Sequence, residues 1–157
     1  MQPRMDFTSA APAAIRTLYG VEGHLRKSSG LDPALLELIR LRCSQINGCA
    51  YCIDMHTKDA RALGETEQRL YTIAVWRETP FFNPRERAAL LWCEHLTLIS
   101  EQHVSDGVYE EVRGQFSEEE IVNLTLAVAA INAWNRFAIA FRSVPGQYEP
   151  KAAEVHA

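Results

Sequence analysis

The sequence predicts an all-α fold, a compact bundle of several helices, and three observations support this prediction. Apolar residues recur at spacings of three and four, as in ALLELIRLRCSQI at 34–46. Helix-start signals, an N-cap residue followed by proline or by a glutamate, return along the chain. No segment alternates convincingly between apolar and polar residues with the period of two that marks a half-buried strand.

Four helices are predicted in the N-terminal half, each bounded by residues that start or stop a helix. Asp32 and Pro33 supply an N-cap followed by a proline at the first helical position. Thr66 opens a short helix, while Gly48 and Gly64 are typical of helix ends. The predicted ranges are about 10–27, 33–47, 49–63 and 66–76.

Three more helices follow in the C-terminal half. Asn83 with Glu86, and Ser117 with Glu120, have the spacing of capping boxes, and Ser105 opens a short helix between them. The predicted ranges are about 84–101, 105–114 and 118–142, followed by a loose tail at about 144–157. The last helix is apolar around much of its circumference. We therefore expect it both in the core and against another subunit, which predicts a homo-oligomer.

Length and composition are those of an ordinary globular protein. The 157 residues, 47% hydrophobic and 23% charged, predict one domain spanning 1–157. The 16 basic and 20 acidic residues give a formal charge of −4, which argues against nucleic acid or an anionic membrane surface as the main partner. Neither a secretory leader nor a continuous membrane span of ~18 to 20 apolar residues is evident, so we expect a reducing cytoplasm and no disulfide framework.

The stretch NGCAYCIDMH, residues 47–56, concentrates the chemistry of the chain. On a helix that starts near Cys49, the side chains of Cys49, Cys52 and His56 share one face. The partial positive charge of the helix N-terminus stabilises a thiolate, and an imidazole can accept or hold the thiol proton. This combination favours reversible dithiol chemistry.

Two other interpretations of the cluster remain open. Cys43 can join Cys49, Cys52 and His56 as a Cys3His zinc site, in a structural or sensor module. Against it, three of these ligands crowd one helix, and Cys43 lies among apolar neighbours as a buried thiol would. Plain core packing explains each residue singly. A thioredoxin fold is disfavoured, because the residues before the motif predict a helix rather than a strand.

Glu37 interrupts the strongly apolar stretch ALLELIRL and is therefore a candidate to point into the core. The simpler interpretation is a surface glutamate paired with Arg40 or Arg42. Two helices joined at Asn47-Gly48 would fold back antiparallel and bring Glu37 toward His56. Glu37, His56 and Cys52 would then form a proton relay that ends at a thiol.

The spacing E-x11-C-x2-C-x3-H, here Glu37, Cys49, Cys52 and His56, resembles the signature of the alkylhydroperoxidase-D-like proteins of the carboxymuconolactone decarboxylase superfamily. The resemblance covers about 33–143, the core of the predicted domain, and a tail of about 144–157 follows. It extends through three stretches: RLRCSQINGCAYCIDMHTKDARALG, FNPRERAALLWCEHLT and EEEIVNLTLAVAAINAWNR.

The resemblance implies an all-helical homo-oligomer, a trimer or hexamer, that reduces hydroperoxides. It implies that Cys52 attacks the peroxide, that Cys49 resolves the product as a disulfide, and that Glu37 and His56 relay protons. An external dithiol or disulfide reductase would supply electrons, and no bound cofactor or metal is required. An oligomeric binding protein of the same fold, with vestigial thiols, is a further alternative.

Tyr51 departs from the pattern of the resembled family, whose better-studied members have a histidine between the two cysteines. A tyrosine can donate a hydrogen bond but is a poor base near neutral pH. The helix dipole favours Cys49 as the nucleophile, whereas proximity to His56 favours Cys52, which we prefer. The decarboxylase branch lacks the cysteine pair, so its lactone chemistry is not expected here.

Overall fold

A computed structural model describes residues 1–150, and these residues confirm the all-α prediction with nine α-helices, a 3₁₀ helix and no strand. Residues 151–157, the end of the predicted tail, lie outside the described part. The elements in chain order are α1 (Phe7–Ala10), α2 (Pro12–Lys27), α3 (Pro33–Asn47), α4 (Ala50–Ala62), α5 (Glu67–Thr72), the 3₁₀ helix (Ile73–Glu78), α6 (Pro84–Thr97), α7 (Ile99–Gln102), α8 (Asp106–Arg113) and α9 (Glu118–Phe141).

The predicted helix starts are present as capping contacts. The carboxylate of Asp32 accepts the backbone N–H of Ala34 at the start of α3. At α6, the side chain of Asn83 caps the backbone of Glu86 and the carboxylate of Glu86 accepts the N–H of Asn83. The same reciprocal pair forms between Ser117 and Glu120 at α9.

Three predicted helices are shorter or more divided than expected. The helix predicted at 10–27 is interrupted at Ala11, whose ψ of 63° is non-helical because the following Pro12 disfavours the helical conformation before it. The helix predicted at 84–101 breaks at Leu98, which has φ −100° and ψ 31°. The helix predicted at 66–76 continues as the 3₁₀ helix, with a non-helical Val75 inside it.

The core is built around α3, which packs against α4, α6 and α9. Every residue of α3 from Leu35 to Leu41 is buried, including the charged Glu37 and Arg40. By length and composition alone, α9 could cross a membrane, and it is the only such helix in residues 1–150. Its buried residues pack against α3, α6 and α2, which is how the central helix of a globular core is placed.

Both ends of the described chain are bonded to the bundle, and residues 144–150, the described part of the predicted tail, form no helix or strand. The N–H of Gly146 donates to Asp54 Oδ2 at 2.9 Å. The carbonyl of Tyr148 accepts Lys58 Nζ at 2.9 Å. At the other end, the Arg4 N–H and guanidinium bind the last carbonyls of α9. The two Arg4 donors satisfy carbonyl groups that the C-terminus of a helix leaves unpaired.

Candidate active site

The turn between α3 and α4 places the two motif cysteines at a helix N-terminus. Gly48 ends α3 in the left-handed region, with φ 69° and ψ 32°, where glycine carries no steric penalty. Cys49 is the N-cap of α4, and its Sγ accepts the backbone N–H of Cys52 at 3.4 Å. A sulfur in this position is stabilised as an anion by the helix terminus.

Cys49 and Cys52 form a pair at disulfide distance. Their Cα atoms lie 5.4 Å apart, and the two sulfurs are joined. The residues are 1% and 2% exposed and pack with Ala138 of α9 and with Tyr51. A reagent that reacts with either sulfur must therefore enter beside these neighbours.

The antiparallel packing of α3 on α4 brings Glu37 and His56 together. His56 Nδ1 lies 2.7 Å from Glu37 Oε2, and both residues are buried. Burial acts to raise the pKa of Glu37, but hydrogen bonds and charges from His56 and Arg40 outweigh it and lower the pKa to about 2. Glu37 is therefore an ionised carboxylate against the imidazole, which fixes the orientation of the ring.

Arg40 belongs to the same network, although the sequence interpretation gave it no role beyond a surface pair. Its guanidinium donates to Glu37 Oε1 and to Glu22 Oε2, each at 2.6 Å, and Arg40 is only 3% exposed. Glu22 in turn accepts the indole N–H of Trp134 at 3.1 Å. Arg40 thus balances the buried negative charge of Glu37 through the carboxylate oxygen that does not contact His56. Arg42 does not contribute, because its guanidinium pairs with Glu94.

Asp59 and Tyr148 complete the surroundings of His56, and sequence reasoning missed both. Oxygens of Glu37 and Asp59 and a ring nitrogen of His56 lie within 4.8 Å of one another. The hydroxyl of Tyr148 donates to Asp59 Oδ1 at 2.7 Å. The only local signal was the position of Asp59, three residues after His56 on the same helix face.

The alternative zinc set is not brought together in residues 1–150. Cys43 is fully buried in the main core, and its sulfur accepts the hydroxyl of Thr97 at 3.2 Å. The one group of potential ligand atoms close enough for a cation, within the described residues, is Glu37, His56 and Asp59. Both oxygens of Glu37 already have donors in His56 and Arg40, so that carboxylate needs no cation to be balanced.

A cleft of about 530 Å³ opens beside Tyr51. Its walls are the N-terminal segment, the start of α4 and the segment after α9. The lining residues are Met1, Pro3, Met5, Asp6, Phe7, Thr8, Tyr51, Phe141, Ser143, Val144 and Gln147. Because Tyr51 also packs on the cysteine pair, this cleft is separated from the sulfurs by a side chain that contacts them.

The arrangement combines the elements of thiol redox chemistry. Two cysteines can exchange electrons as a dithiol and a disulfide, and the helix N-terminus stabilises a thiolate. A buried imidazole bonded to a carboxylate lies one helical turn beyond Cys52 and can carry a proton.

Similar proteins with known sequences or structures share this fold. Residues 12–95 match the profile of the carboxymuconolactone decarboxylase family. The uncharacterized protein YdfG of Bacillus subtilis is 45% identical over 140 residues, which are 89% of this chain and 95% of YdfG.

Two solved structures extend the comparison. A protein of unknown function from Agrobacterium tumefaciens, for which a role as the antioxidant defence protein AhpD has been suggested, matches with a TM-score of 0.89 and 42% identity. The match covers 94% of this chain and all of that one. The alkylhydroperoxidase AhpD core of an uncharacterized peroxidase-related protein from Ralstonia eutropha JMP134 has the same fold, with a TM-score of 0.78 and 22% identity, covering 89% of this chain and 74% of that chain. This chain therefore belongs to the carboxymuconolactone decarboxylase family, as an alkylhydroperoxidase-D-like member.

Proposed function

We propose that this protein is a thiol-dependent peroxidase that reduces hydroperoxides through a Cys49–Cys52 redox disulfide. The observation that carries the proposal is the joined cysteine pair at the start of α4 with the buried Glu37–His56 pair one turn beyond it. The family alone does not choose the reaction, since it is named for a decarboxylase. Lactone decarboxylation has no evident use for a redox dithiol.

The proposed cycle has three steps. The Cys52 thiolate attacks one peroxide oxygen, the O–O bond breaks, and the departing alkoxide or hydroxide takes a proton from His56. Cys52 is then a sulfenic acid. The Cys49 thiol gives up its proton and attacks the Cys52 sulfur as a thiolate, and the displaced hydroxyl takes up that proton and leaves as water, which forms the disulfide. An external dithiol or disulfide reductase returns both cysteines to thiols and becomes oxidised itself.

The two sulfurs have different surroundings, which supports different roles. Cys52 lies four residues before His56 on one helix face, so the imidazole is placed to act on it. Cys49 is the N-cap, with the N–H of Cys52 directed at its sulfur. That contact stabilises Cys49 as the attacking thiolate of the second step and as the leaving group during reduction.

The proposal includes a homo-oligomer, and the outer side of α9 supports it. An apolar stripe runs along this side at helical spacing, formed by Val122, Leu126, Ala129 and Ala133. Val122 is 67% exposed, and no other described element covers the stripe fully. The small side chains of Ala129 and Ala133, in its C-terminal half, allow a second helix to approach closely. A reducing cytoplasm, with neither nucleic acid nor a membrane as a partner, fits this function.

Mass spectrometry of the tryptic peptides after peroxide treatment tests the function. The reduced protein should lose two hydrogens across the peptide that contains Cys49 and Cys52 and should turn over peroxide when a dithiol is supplied. Cys52→Ser should abolish turnover, and Cys49→Ser should accumulate a sulfenic acid at Cys52. An unchanged mass would overturn the proposal, and the reverse pattern would make Cys49 the nucleophile.

A further inference from the structure

Asp59 lies against the Glu37–His56 pair, although the proposed cycle gives it no part. Its carboxylate oxygen, an oxygen of Glu37 and a ring nitrogen of His56 are all within 4.8 Å of one another. Asp59 follows His56 by three residues on α4, so both side chains leave the same face of the helix. The imidazole therefore has one carboxylate bonded to it and a second carboxyl group beside it.

Tyr148, on the segment after α9, holds Asp59 in this place. Its hydroxyl donates to Asp59 Oδ1 at 2.7 Å. The same segment is attached to α4 at two more points, where Asp54 accepts the N–H of Gly146 and Lys58 donates to the carbonyl of Tyr148. These two anchors attach the segment to residues of α4 other than His56 and Asp59.

The surroundings of Asp59 raise its pKa above the ordinary value, and burial is the largest cause. Burial raises the pKa of Asp59, the hydrogen bond from Tyr148 lowers it, and the charge of Glu37 raises it again. The charges of His56 on α4 and Arg26 on α2 favour the ionised form. Tyr148 itself stays neutral, because burial and the contact with Asp59 raise its pKa. Among these groups, Tyr148 supplies the hydrogen bond that favours the carboxylate.

We propose that Asp59 and Tyr148 are positioning residues of the relay, in which the hydroxyl of Tyr148 keeps Asp59 ionised beside His56. The protonated imidazole then lies between two carboxylates, Glu37 and Asp59, and each of them stabilises its positive charge. In the proposed cycle, His56 can then transfer this proton to the oxygen atom that leaves the peroxide. Only this last consequence rests on the proposed function, since the protonation of His56 is a property of the chain itself.

Imidazole ¹⁵N chemical shifts of His56, followed by NMR against pH in the reduced protein, test the inference. In Asp59→Asn the ring should release its proton about one pH unit lower, since one charge at this distance is lost. Tyr148→Phe should give a smaller shift in the same direction, because Asp59 becomes harder to ionise. Asp59→Glu should restore most of the wild-type behaviour.

Asp54→Ala is the matched control, because it removes the acceptor of the Gly146 N–H, an anchor of the same segment, while leaving the charge of Asp59 beside His56 in place. It should leave the His56 titration where it is in the wild type. An Asp59→Asn titration identical to the wild type overturns the inference. An equal shift in Asp54→Ala does so too, because it would show that docking of the segment matters rather than the carboxylate of Asp59. If Asp59→Asn does not fold, Tyr148→Phe decides alone, and an absent shift overturns the inference.

The titration separates this inference from the proposed function. A wild type that turns over no peroxide but shows the shift in Asp59→Asn refutes the peroxidase and leaves the role of Asp59 standing. A wild type that turns over peroxide while Asp59→Asn shows no shift refutes only the role of Asp59 and Tyr148.

Discussion

Among single residues, Glu37 links the chemistry of the site to the stability of the fold. It is a buried carboxylate that the imidazole of His56 and the guanidinium of Arg40 hold in the ionised state. Burial raises its pKa, and these partners lower it further than burial raises it, to about 2. A carboxyl with a lower pKa in the folded chain than in the unfolded chain stabilises the fold above its unfolded pKa of about 4.3. That contribution disappears as the pH falls toward 2.

We therefore expect the wild type to lose on the order of 3 kcal/mol of unfolding free energy from this residue between about pH 5 and pH 2. Glu37→Gln should be less stable at pH 7, because Arg40 and His56 lose their partner, and should show a shallower acid dependence. Urea unfolding followed by circular dichroism at a series of pH values measures both. Equal acid slopes in the two proteins would show that Glu37 is not the residue responsible.

Tyr51 lies between the two cysteines in sequence, and its phenol limits the acid–base catalysis available at this position. Burial, with the nearby charges of Tyr19 and Asp54, raises the pKa of Tyr51 above 10, so at neutral pH it is only a hydrogen-bonding phenol. Tyr51→His would place a titratable base at this position. We expect the kcat/KM of the proposed peroxidase reaction to rise about tenfold, below the full range of general-base effects, because the proposed cycle already has Glu37 and His56 as a proton relay.

Tyr51→Phe is the control, because it keeps the ring that packs on the cysteines and removes only the hydroxyl. It should change kcat/KM by no more than about twofold, since a neutral phenol contributes little acid–base catalysis. A large loss in Tyr51→Phe would instead show that the hydroxyl itself orients the substrate.

Some of the contacts around Glu37 could be predicted from the sequence, and others could not. Glu37 could be assigned to the interior because a charge interrupts an otherwise apolar helix, and Arg40 was detectable as its neighbour at i+3. Glu22 and Tyr148 could not be assigned, because they reach the site from 15 and 111 residues away from Glu37, beyond any helical spacing. Such contacts depend on how α2 and the C-terminal segment pack, which local periodicity does not encode.

Among the elements, the junction of α3 and α4 positions the whole site. The left-handed conformation of Gly48 turns the chain so that Glu37 on α3 faces His56 on α4. Asn47 secures the junction from the other side, since its side-chain amide donates to Asn132 and Asn135 of α9. The glycine was predictable as a helix end, whereas the asparagine contacts to α9 were not.

Gly48→Ala should destabilise the protein by about 1–2 kcal/mol, because a Cβ is strained in the left-handed region. There is open space around Gly48, so the cost comes from the backbone alone. Gly20 on the exposed side of α2 has the same open surroundings and a helical backbone. Gly20→Ala should therefore stabilise by about 0.5–1 kcal/mol. Urea unfolding of both variants measures the difference, and effects of the same sign would contradict the argument.

The boundaries of elements were less predictable than their existence. Capping boxes located α6 and α9 to within a residue, because both partners of each box are local in sequence. The end of α6 is different. The hydroxyl of Thr97 donates to the sulfur of Cys43 on α3 and accepts the side-chain amide of Asn132 on α9. The helix loses its regular conformation at the next residue, Leu98. The contacts of Thr97 are tertiary, and a helical pattern that continues to 101 does not reveal them.

At the scale of the whole molecule, separate parts of the chain meet over one cysteine pair. The N-terminal segment and the segment after α9 form the cleft beside Tyr51, and α9 supplies Ala138 beneath the sulfurs. The same helix turns its apolar stripe outward. Residues on α9 therefore bear on two properties at once, the burial of the candidate site and the proposed assembly of subunits.

Ala129→Glu tests the proposed assembly at the centre of the stripe. Ala129 is exposed in the single chain, so a glutamate there disturbs no core contact and costs less than about 0.7 kcal/mol of helix propensity. In an assembled protein the same carboxylate would be buried between subunits without a partner, which is strongly unfavourable. Size-exclusion chromatography with light scattering should show the wild type at three or six chain masses and Ala129→Glu at one.

Ala14→Glu is the matched control, because Ala14 is equally exposed but lies in the first turn of α2, where a carboxylate is favourable. It should keep the wild-type mass. A wild type that elutes as one chain would remove the assembly from the proposal. An Ala129→Glu variant that stays assembled would place the subunit interface on another face, and the apolar stripe of α9 would then need a different explanation.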